Sequence, residues 1–204
     1  MNRPFYLVFA GVNGVGKSTF YHSKFWHEPG IPKKLPRVNS DELVAQSHGN
    51  YLSAGDQLRA GRQALRMIEA HFANRESFNQ ETTLSGKLAV RNIRKAHDLG
   101  YRVVLYYIGV DSPETSLARI AHRVETGGHP IEEDAVRRRY EASLRNFSNV
   151  LDLCDKAVVI DNTVEFVTVA QWTRGVLSWV GNPAKHAPWL FKAIRDDTIW
   201  RARP

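Results

Sequence analysis

Short, nearly continuous apolar runs along the chain predict buried strands. Residues 5–10 (FYLVFA) and 102–109 (RVVLYYIG) contain few polar side chains, which is typical of strands that are covered on both faces of a parallel sheet. Between them, residues 54–73 place apolar side chains at helical spacing, which predicts a long helix. Strands that alternate with helices favour an α/β fold, in which helices cover both faces of a parallel sheet.

The same criteria assign the rest of the chain. We predict further strands over residues 33–39, 77–83, 156–160, 166–171 and 175–180, and helices over 17–25, 41–45, 85–99, 132–147 and 188–195. Another helix is expected to start around Asp111, with this residue as its cap. Ser85 is a candidate cap for the predicted helix over residues 85–99. Near the C-terminus, we expect Trp189, Phe191 and Ile194 to pack on the core.

The composition is that of a folded globular protein. Of the 204 residues, 43% are hydrophobic and 24% are charged, which excludes a disordered, collagen-like or coiled-coil chain. We expect residues 1–204 to form one domain. The single cysteine, Cys154, excludes a disulfide within the chain and agrees with a cytoplasmic protein. No apolar stretch reaches the ~20 residues that cross a bilayer, and the net charge of +7 favours anionic partners without selecting one.

A glycine-rich motif follows the first predicted strand. Residues 11–18 (GVNGVGKS) fit the phosphate-loop pattern G-x-x-x-x-G-K-[ST] between a strand and a helix. In such a loop the backbone N–H groups surround phosphates, the lysine reaches the β- and γ-phosphates, and the serine hydroxyl binds Mg²⁺. We therefore predict ATP and Mg²⁺ as cofactors, with Ser18 as a metal ligand and the Lys17 side chain exposed at the loop. The predicted nucleotide contacts are Gly11, Asn13, Gly14, Val15, Gly16, Lys17, Ser18 and Thr19.

The loop alone does not separate a kinase, a GTPase and a motor ATPase. The sequence lacks the N/T-K-x-D and D-x-x-G motifs that are typical of GTPases. The apolar strand that ends near Asp111 lacks the Asp-Glu pair of a motor ATPase, and that aspartate is better explained as a helix cap. The short chain, with a basic segment late in the sequence, favours a small-molecule kinase.

Polar residues after two predicted strands indicate an acceptor site. Asp41 follows the second strand, where a carboxylate can accept a proton from a hydroxyl group. Alternatively, Asp41 or Ser40 only caps the next helix. Glu81 and Thr83 end the third strand, where they could contact acceptor hydroxyls, and Glu81 could also hold a water molecule of Mg²⁺. The alternative is that these residues form a polar strand end.

A basic segment over residues 123–139 has the features of a lid. Gly127 and Gly128 separate two predicted helices that carry cations on both sides, so closure would bring guanidinium groups to the transferring phosphoryl group. Arg123 and Arg139 are the predicted lid arginines. Arg138 lies almost opposite the apolar helix face and is predicted to be solvated. A fully solvated charge run is the alternative.

Four stretches together resemble the zeta-toxin family of P-loop kinases. They are GVNGVGKST, VNSDEL, ETTLSG and RVETGGHPIEEDAVRRRY, and they span about residues 5–147. The resemblance implies a kinase-like P-loop fold with a helical lid, and phosphorylation of a UDP-activated amino sugar such as UDP-N-acetylglucosamine by the toxin of a toxin–antitoxin pair.

The resemblance also implies roles for individual residues. Lys17 and Ser18 match phosphate and metal positions, Asp41 the general base, and Arg123 a lid arginine. Glu81 and Thr83 match sugar-contacting positions. His129 stands near the position where larger members have a second lid arginine, and Arg139 is the candidate to replace it.

Two alternative functions remain open from the residues. A phosphotransferase for another metabolite or an antibiotic would share every motif. A nucleotide-dependent nucleic-acid-binding module would use the positive net charge, but the sequence has no basic motif with interleaved aromatic residues. The predicted partners are therefore ATP, a small hydroxylated substrate and an antitoxin protein, without a membrane and with nucleic acid disfavoured.

Overall fold

Seven strands form one mixed sheet. The computed structural model describes residues 3–23 and 25–193. Its strands are β1 (Phe5–Ala10), β2 (Arg37–Val38), β3 (Phe78–Thr82), β4 (Arg102–Gly109), β5 (Lys156–Asp161), β6 (Val167–Thr173) and β7 (Val176–Val180). They lie in the order β2-β3-β1-β4-β5-β6-β7. The first five are parallel, and β6 and β7 add antiparallel neighbours at one end.

Helices cover both faces of this sheet. They are α1 (Lys17–Ser23), α2 (Ser40–Gln46), α3 (Ala54–Ala73), α4 (Lys87–Asp98), α5 (Pro113–Glu125), α6 (Glu133–Val150), α7 (Pro183–His186) and α8 (Pro188–Ala193), with one 3₁₀ turn at Leu151–Leu153. Alternate side chains of β1 enter two different cores: Tyr6 and Val8 meet α3, α4 and α6, whereas Leu7 and Phe9 meet α1 and α5. Burial on both faces explains the unbroken apolar run that predicted this strand.

The predicted α/β architecture is confirmed, and two strand details differ from it. The second strand has only two residues, Arg37–Val38, because Pro36 in the predicted range lacks the N–H group that a sheet ladder needs. The last two strands are antiparallel. A five-residue connection over residues 162–166 is too short for the crossover that a parallel neighbour requires.

Three helix caps are not the predicted residues. Asn39, rather than Ser40 or Asp41, caps α2, since its Oδ1 accepts from the Asp41 N–H at 3.0 Å. Ser112 caps α5, where its Oγ accepts from the Thr115 N–H at 3.2 Å. Helix α4 begins at Lys87 behind Gly86, so the predicted Ser85 cap is wrong. Several polar residues stand at each of these helix starts, and local sequence did not identify which one forms the cap.

The C-terminal segment packs on the sheet through Trp189. This side chain is buried, and its Nε1 donates to Asp161 Oδ1 at 2.8 Å. The Phe191 side chain and Ile194, for which packing was also predicted, lie outside the described part of the chain. Among the described residues, no helix has the length and apolarity needed to cross a membrane.

Candidate active site

The phosphate loop connects β1 to α1 and is enclosed by α5 and the end of β5. Gly14 has φ +84°, and a Cβ atom there would lie 2.5 Å from the Ser116 carbonyl oxygen. Gly16 has φ +89°, and its Cβ would lie 2.6 Å from Asn162 Nδ2. Both positions therefore require glycine, for backbone conformation and for space. Asn162 Nδ2 also donates to the Val15 carbonyl at 2.9 Å, which fixes the loop from the β5 side.

Lys17 is buried rather than exposed, contrary to our prediction. Its Nζ donates to the Val12 carbonyl at 3.1 Å and lies 3.8 Å from Glu81 Oε1. Burial lowers the pKa of Lys17; nearby Glu81 and Asp41 oppose this effect, whereas Arg123 and Arg139 add to it. Four charged side chains predicted for the site therefore act electrostatically on this one ammonium group.

The other predicted nucleotide contacts surround Lys17. Gly11 directly follows β1, and Val15 is buried. Ser18 and Thr19 are exposed on the first turn of α1. Asn13 Oδ1 accepts a hydrogen bond of 2.8 Å from Arg139. This arrangement presents backbone and hydroxyl groups of the kind that bind phosphates.

Glu81 is held beside the phosphate loop by a serine and an arginine. Ser18 Oγ lies 3.1 and 2.9 Å from the two carboxylate oxygens, and Arg37 Nη2 donates to Oε2. A serine hydroxyl next to a carboxylate supplies the hard oxygen ligands that Mg²⁺ prefers. The residues present thus fit the predicted metal at Ser18, with Glu81 as a second oxygen donor or as a partner of a coordinated water.

Asp41 lies on the first turn of α2, on the predicted acceptor side of the site. Since Asn39 forms the helix cap, the carboxylate of Asp41 is not used for that purpose. Asp41 is close enough to influence the pKa values of both Lys17 and His129. Its backbone carbonyl accepts a hydrogen bond of 2.9 Å from the Tyr51 hydroxyl group.

The loop after β3 brings Thr83 to the same end of the sheet. Thr83 Oγ1 and Ser85 Oγ are 2.8 Å apart, which forms a small pair of hydroxyl groups. Between them Leu84 has φ +54° and is buried. Its carbonyl accepts a hydrogen bond of 2.8 Å from Asn146 of α6, which holds the turn in this conformation.

The predicted lid consists of the end of α5, the glycine loop and the start of α6. Arg123 Nη2 donates to the His129 carbonyl at 2.9 Å, and the Arg123 Nε is buried without a hydrogen-bond partner among the described residues. Arg139 reaches the phosphate loop through Asn13, whereas Arg138 is exposed. The structure therefore brings Arg123 and Arg139 to the site and leaves Arg138 outside it.

His129 joins this lid to the acceptor side. Its ring stacks on the Tyr51 ring, with centroids 4.2 Å apart and planes inclined by 7°. Burial lowers the pKa of His129, the nearby Arg123 lowers it further, and Asp41 opposes both. The lowered pKa favours the neutral ring over the imidazolium ion, which argues against His129 as a second lid cation.

Sequence comparison identifies a relative of this chain. No protein-family model matches it. An uncharacterized protein of Haemophilus influenzae is 35% identical over 136 residues, which cover 66% of this chain and 91% of that protein. The chain belongs to the same family as this Haemophilus protein.

Solved structures share the fold at low sequence identity. A chain from the PezAT chromosomal toxin–antitoxin system of Streptococcus pneumoniae superposes with a TM-score of 0.61, at 14% identity, over 82% of this chain and 71% of that one. A chain of the AvrRxo1-ORF1:AvrRxo1-ORF2 complex gives 0.63, at 17% identity, over 91% of this chain and 63% of that one; that complex has also been solved with ATP.

A third structure, a chain from Chloroflexus aurantiacus proposed to be a kinase, gives a TM-score of 0.52, at 15% identity, over 80% of this chain and 88% of that one. These likenesses confirm the predicted fold, a P-loop kinase-type α/β sheet with helices on both faces.

Sequence reasoning missed three residues that shape the site. Arg37 binds Glu81, Tyr51 stacks on His129, and Asn162 supports the phosphate loop. Arg37 begins the same segment as Asp41, so its position at the end of a strand was an available signal. Tyr51 and Asn162 contact residues far away along the chain, and no local pattern marks them.

Proposed function

We propose that this chain is an ATP-dependent kinase that transfers the γ-phosphoryl group to a hydroxyl group of a small molecule. The observation that carries the proposal is a phosphate loop with charged side chains around it. Lys17 Nζ lies 3.8 Å from Glu81 Oε1, and Arg139 binds Asn13 of the loop. Asp41 and Arg123 are close enough to influence the pKa of Lys17. Phosphoryl transfer needs cations at the phosphates and a carboxylate at the attacking hydroxyl. The site combines both, and the fold shared with the structures above supports the same reaction class.

In this proposal the phosphate loop binds ATP. The backbone of residues 11–16 surrounds the phosphates, Lys17 neutralises their charge, and Ser18 with Thr19 contributes hydroxyl groups from α1. Ser18 holds Mg²⁺ with help from Glu81. When bound, Mg²⁺ supplies positive charge at the phosphate oxygens.

The remaining residues act on the acceptor and on the transition state. Asp41 orients the acceptor hydroxyl and accepts its proton as the new O–P bond forms. Arg123 and Arg139 neutralise the charge on the transferring group, and the lid over residues 123–139 excludes water from it. We treat residues 1–204 as a single kinase domain that includes this lid.

The proposed acceptor is a UDP-activated amino sugar similar to UDP-N-acetylglucosamine. The resemblance to zeta toxins supports this choice, and Glu81, Thr83 and His129 are the proposed acceptor contacts. The test is incubation with γ-labelled ATP and a panel of UDP-sugars, other hydroxylated metabolites and aminoglycosides, with product identification by mass spectrometry. Label on a UDP-sugar supports the proposal, and label on another compound keeps the kinase but replaces its acceptor.

The same experiment has internal controls. Lys17→Met removes the phosphate-binding charge and should abolish labelling, whereas Arg138→Ala changes an exposed arginine on the same helix as Arg139 and should retain it. No transfer to any acceptor, together with no ATP binding, would overturn the kinase proposal.

We further propose that the chain acts as a toxin with an antitoxin partner. The relevant support is the likeness to a chain of the PezAT toxin–antitoxin system. Expression with and without the protein encoded by the adjoining reading frame tests this. Growth arrest that the neighbour relieves, and that Lys17→Met prevents, is the expected result; normal growth during full expression of the active enzyme contradicts it.

A further inference from the structure

Arg37 of β2 has four partners from three other elements at the edge of the candidate site. Its side chain is 11% exposed, and its Nε donates to Glu42 Oε1 at 2.8 Å. Nη1 donates to Asn79 Oδ1 at 3.2 Å, and Nη2 donates to Glu81 Oε2. The guanidinium carbon lies 3.9 Å from the centroid of the Tyr21 ring, which belongs to α1. Both the plane and the direction of the guanidinium group are thereby fixed.

The partners of Arg37 are themselves held in place. Asn79 is buried, and its Nδ2 lies 3.2 Å from the carbonyl oxygens of Leu35 and Pro36. The Tyr21 ring stacks on Trp26, with centroids 5.6 Å apart and planes inclined by 11°. A guanidinium group in such a rigid setting presents its N–H donors in one orientation, which a lysine ammonium group cannot reproduce.

This fixed donor determines where the Glu81 carboxylate points. Glu81 is 8% exposed; Arg37 binds Oε2, Ser18 Oγ lies within 3.1 Å of both oxygens, and Lys17 Nζ is 3.8 Å from Oε1. Arg37 therefore anchors the carboxylate through Oε2, while both oxygens stay within reach of the hydroxyl group that fits Mg²⁺. Groups that hydrogen-bond a metal-binding carboxylate orient it and tune its affinity for the metal.

We infer that Arg37 is a positioning residue, which holds the Glu81 carboxylate beside Ser18 so that it can bind the Mg²⁺ of the nucleotide, directly or through a coordinated water. This inference rests on the proposed function, since the metal arrives with ATP. It separates Arg37 from the lid arginines: they act on the phosphoryl group, whereas Arg37 acts through Glu81. A purely structural ion pair would stabilise the fold without affecting Mg²⁺.

The experiment measures the Mg²⁺ dependence of nucleotide binding. Fluorescent mant-ATP is added to the full chain in EDTA or at increasing MgCl₂. Arg37→Lys should raise the Mg²⁺ concentration for half-maximal binding by about 10-fold, with little change of mant-ATP affinity in EDTA. Arg3→Lys is the matched control. Arg3 precedes β1, at the opposite end of that strand from the phosphate loop, and forms a bidentate contact with Asp155. The substitution disrupts this contact and should leave the Mg²⁺ dependence of nucleotide binding unchanged.

A double-mutant cycle tests whether Arg37 acts through Glu81. In a Glu81→Gln background, Mg²⁺ should already enhance mant-ATP binding only weakly. Adding Arg37→Lys should then change the Mg²⁺ concentration for half-maximal binding by less than about twofold, because the effects of coupled residues are not additive. If Arg37→Lys does not fold, Tyr21→Leu removes the ring under the guanidinium group and should shift the Mg²⁺ dependence in the same direction by a smaller factor.

The outcomes separate this inference from the proposed function. If the wild type binds mant-ATP but Arg37→Lys shows the same Mg²⁺ dependence, the role of Arg37 is overturned and the kinase proposal stands. Additive effects of the two substitutions in the double-mutant cycle lead to the same conclusion. If Arg37→Lys loses the same factor of mant-ATP affinity with and without Mg²⁺, Arg37 has a structural role only, and the inference is likewise overturned. Wild-type protein without Lys17-dependent nucleotide binding overturns the proposed function and this inference together.

Discussion

Burial has the largest effect on the charge state of Lys17. Desolvation is the largest single effect, and the pKa of this lysine is lowered although Glu81 and Asp41 act to raise it. A lysine with a lowered pKa opposes folding while it is protonated; this cost is present below its folded pKa and disappears as the pH rises towards the unfolded value of about 10.4. In the proposed kinase, a bound polyphosphate would supply the negative charge that compensates the buried ammonium group.

The first prediction follows from this balance. Lys17→Met keeps most of the aliphatic volume and removes the charge, so turnover should fall by about 10²–10³-fold through lost transition-state stabilisation. Thermal unfolding at neutral pH without nucleotide should show a Tm that is equal to or above that of the wild type, because the cost of the buried charge is gone. A variant with near-normal turnover would contradict the role of Lys17.

The second prediction concerns Asp41. Since Asn39 caps α2, Asp41→Asn should leave the Tm almost unchanged. As the proposed general base, Asp41 is expected to contribute about 10²–10⁴-fold to turnover, and the asparagine variant should lose that factor. Single-turnover kinetics measure the chemical step, and mant-ATP binding should stay near the wild-type value. A small kinetic effect would remove Asp41 from the mechanism.

At the scale of elements, the lid contacts both halves of the site. Arg139 of α6 binds Asn13 of the phosphate loop, and His129 of the lid loop stacks on Tyr51 before α3. The helix–loop–helix unit therefore connects the phosphate loop with the segment before α3, which are the proposed nucleotide and acceptor sides. In the proposed kinase, such a segment would act on the steps that require closure.

The third prediction ranks the lid arginines. Arg123→Ala should lower turnover strongly, Arg139→Ala less so, and Arg138→Ala hardly at all, because only Arg138 of these three is exposed. Closure assembles charge around the transition state more than around bound ATP, so turnover should fall more than nucleotide affinity. Steady-state kinetics with matched binding measurements test the ranking. Equal and small effects of all three changes would mean that the lid is a solvated surface.

The fourth prediction is a pH dependence of the lid contact. Because folding lowers the pKa of His129, its neutral form favours the folded state. That contribution is present above the unfolded pKa of about 6.5 and is lost as the pH falls through the lower folded value. The protection factors for hydrogen exchange over residues 126–132, which are corrected for the intrinsic chemical rate, should therefore fall below pH 6.5 in the wild type.

His129→Phe is the matched control for this titration. Phenylalanine keeps an aromatic ring for stacking on Tyr51 and cannot be protonated, so exchange in this variant should vary with pH only through the intrinsic chemical rate. An identical fall of the protection factors in both proteins would assign the pH effect to another group.

Elements with strong local patterns were predicted best. The bounds of α3 and β4 match the predicted ranges, because helical spacing and a continuous apolar run are local signals. The phosphate loop was predicted for the same reason. By contrast, Arg37 binds a residue 44 positions away and Asn162 one that is 147 positions away. These contacts, like the burial of Lys17, can be predicted only when the order of the strands in the sheet is known.

At the scale of the whole molecule, the C-terminal segment supports the phosphate loop. The Trp189 ring occupies the space above Gly109, where a Cβ atom would lie 2.1 Å from Cη2. Its Nε1 donates to Asp161, which ends β5 and also accepts from the Thr163 hydroxyl at 2.7 Å. The next residue, Asn162, holds the Val15 carbonyl. One chain of contacts thus links α8 through β5 to the nucleotide side.

The fifth prediction tests this link with Trp189→Phe. Phenylalanine fills part of the space but removes the donor to the buried Asp161, which should cost about 1–3 kcal/mol of stability. For a protein of this size the Tm should fall by roughly 2–12 °C. Because the lost bond anchors the end of β5, mant-ATP affinity should weaken as well. Trp179→Phe, at an exposed tryptophan of β7, is the control and should change neither quantity. A lower Tm with unaltered nucleotide affinity would show that α8 stabilises the fold without supporting the loop.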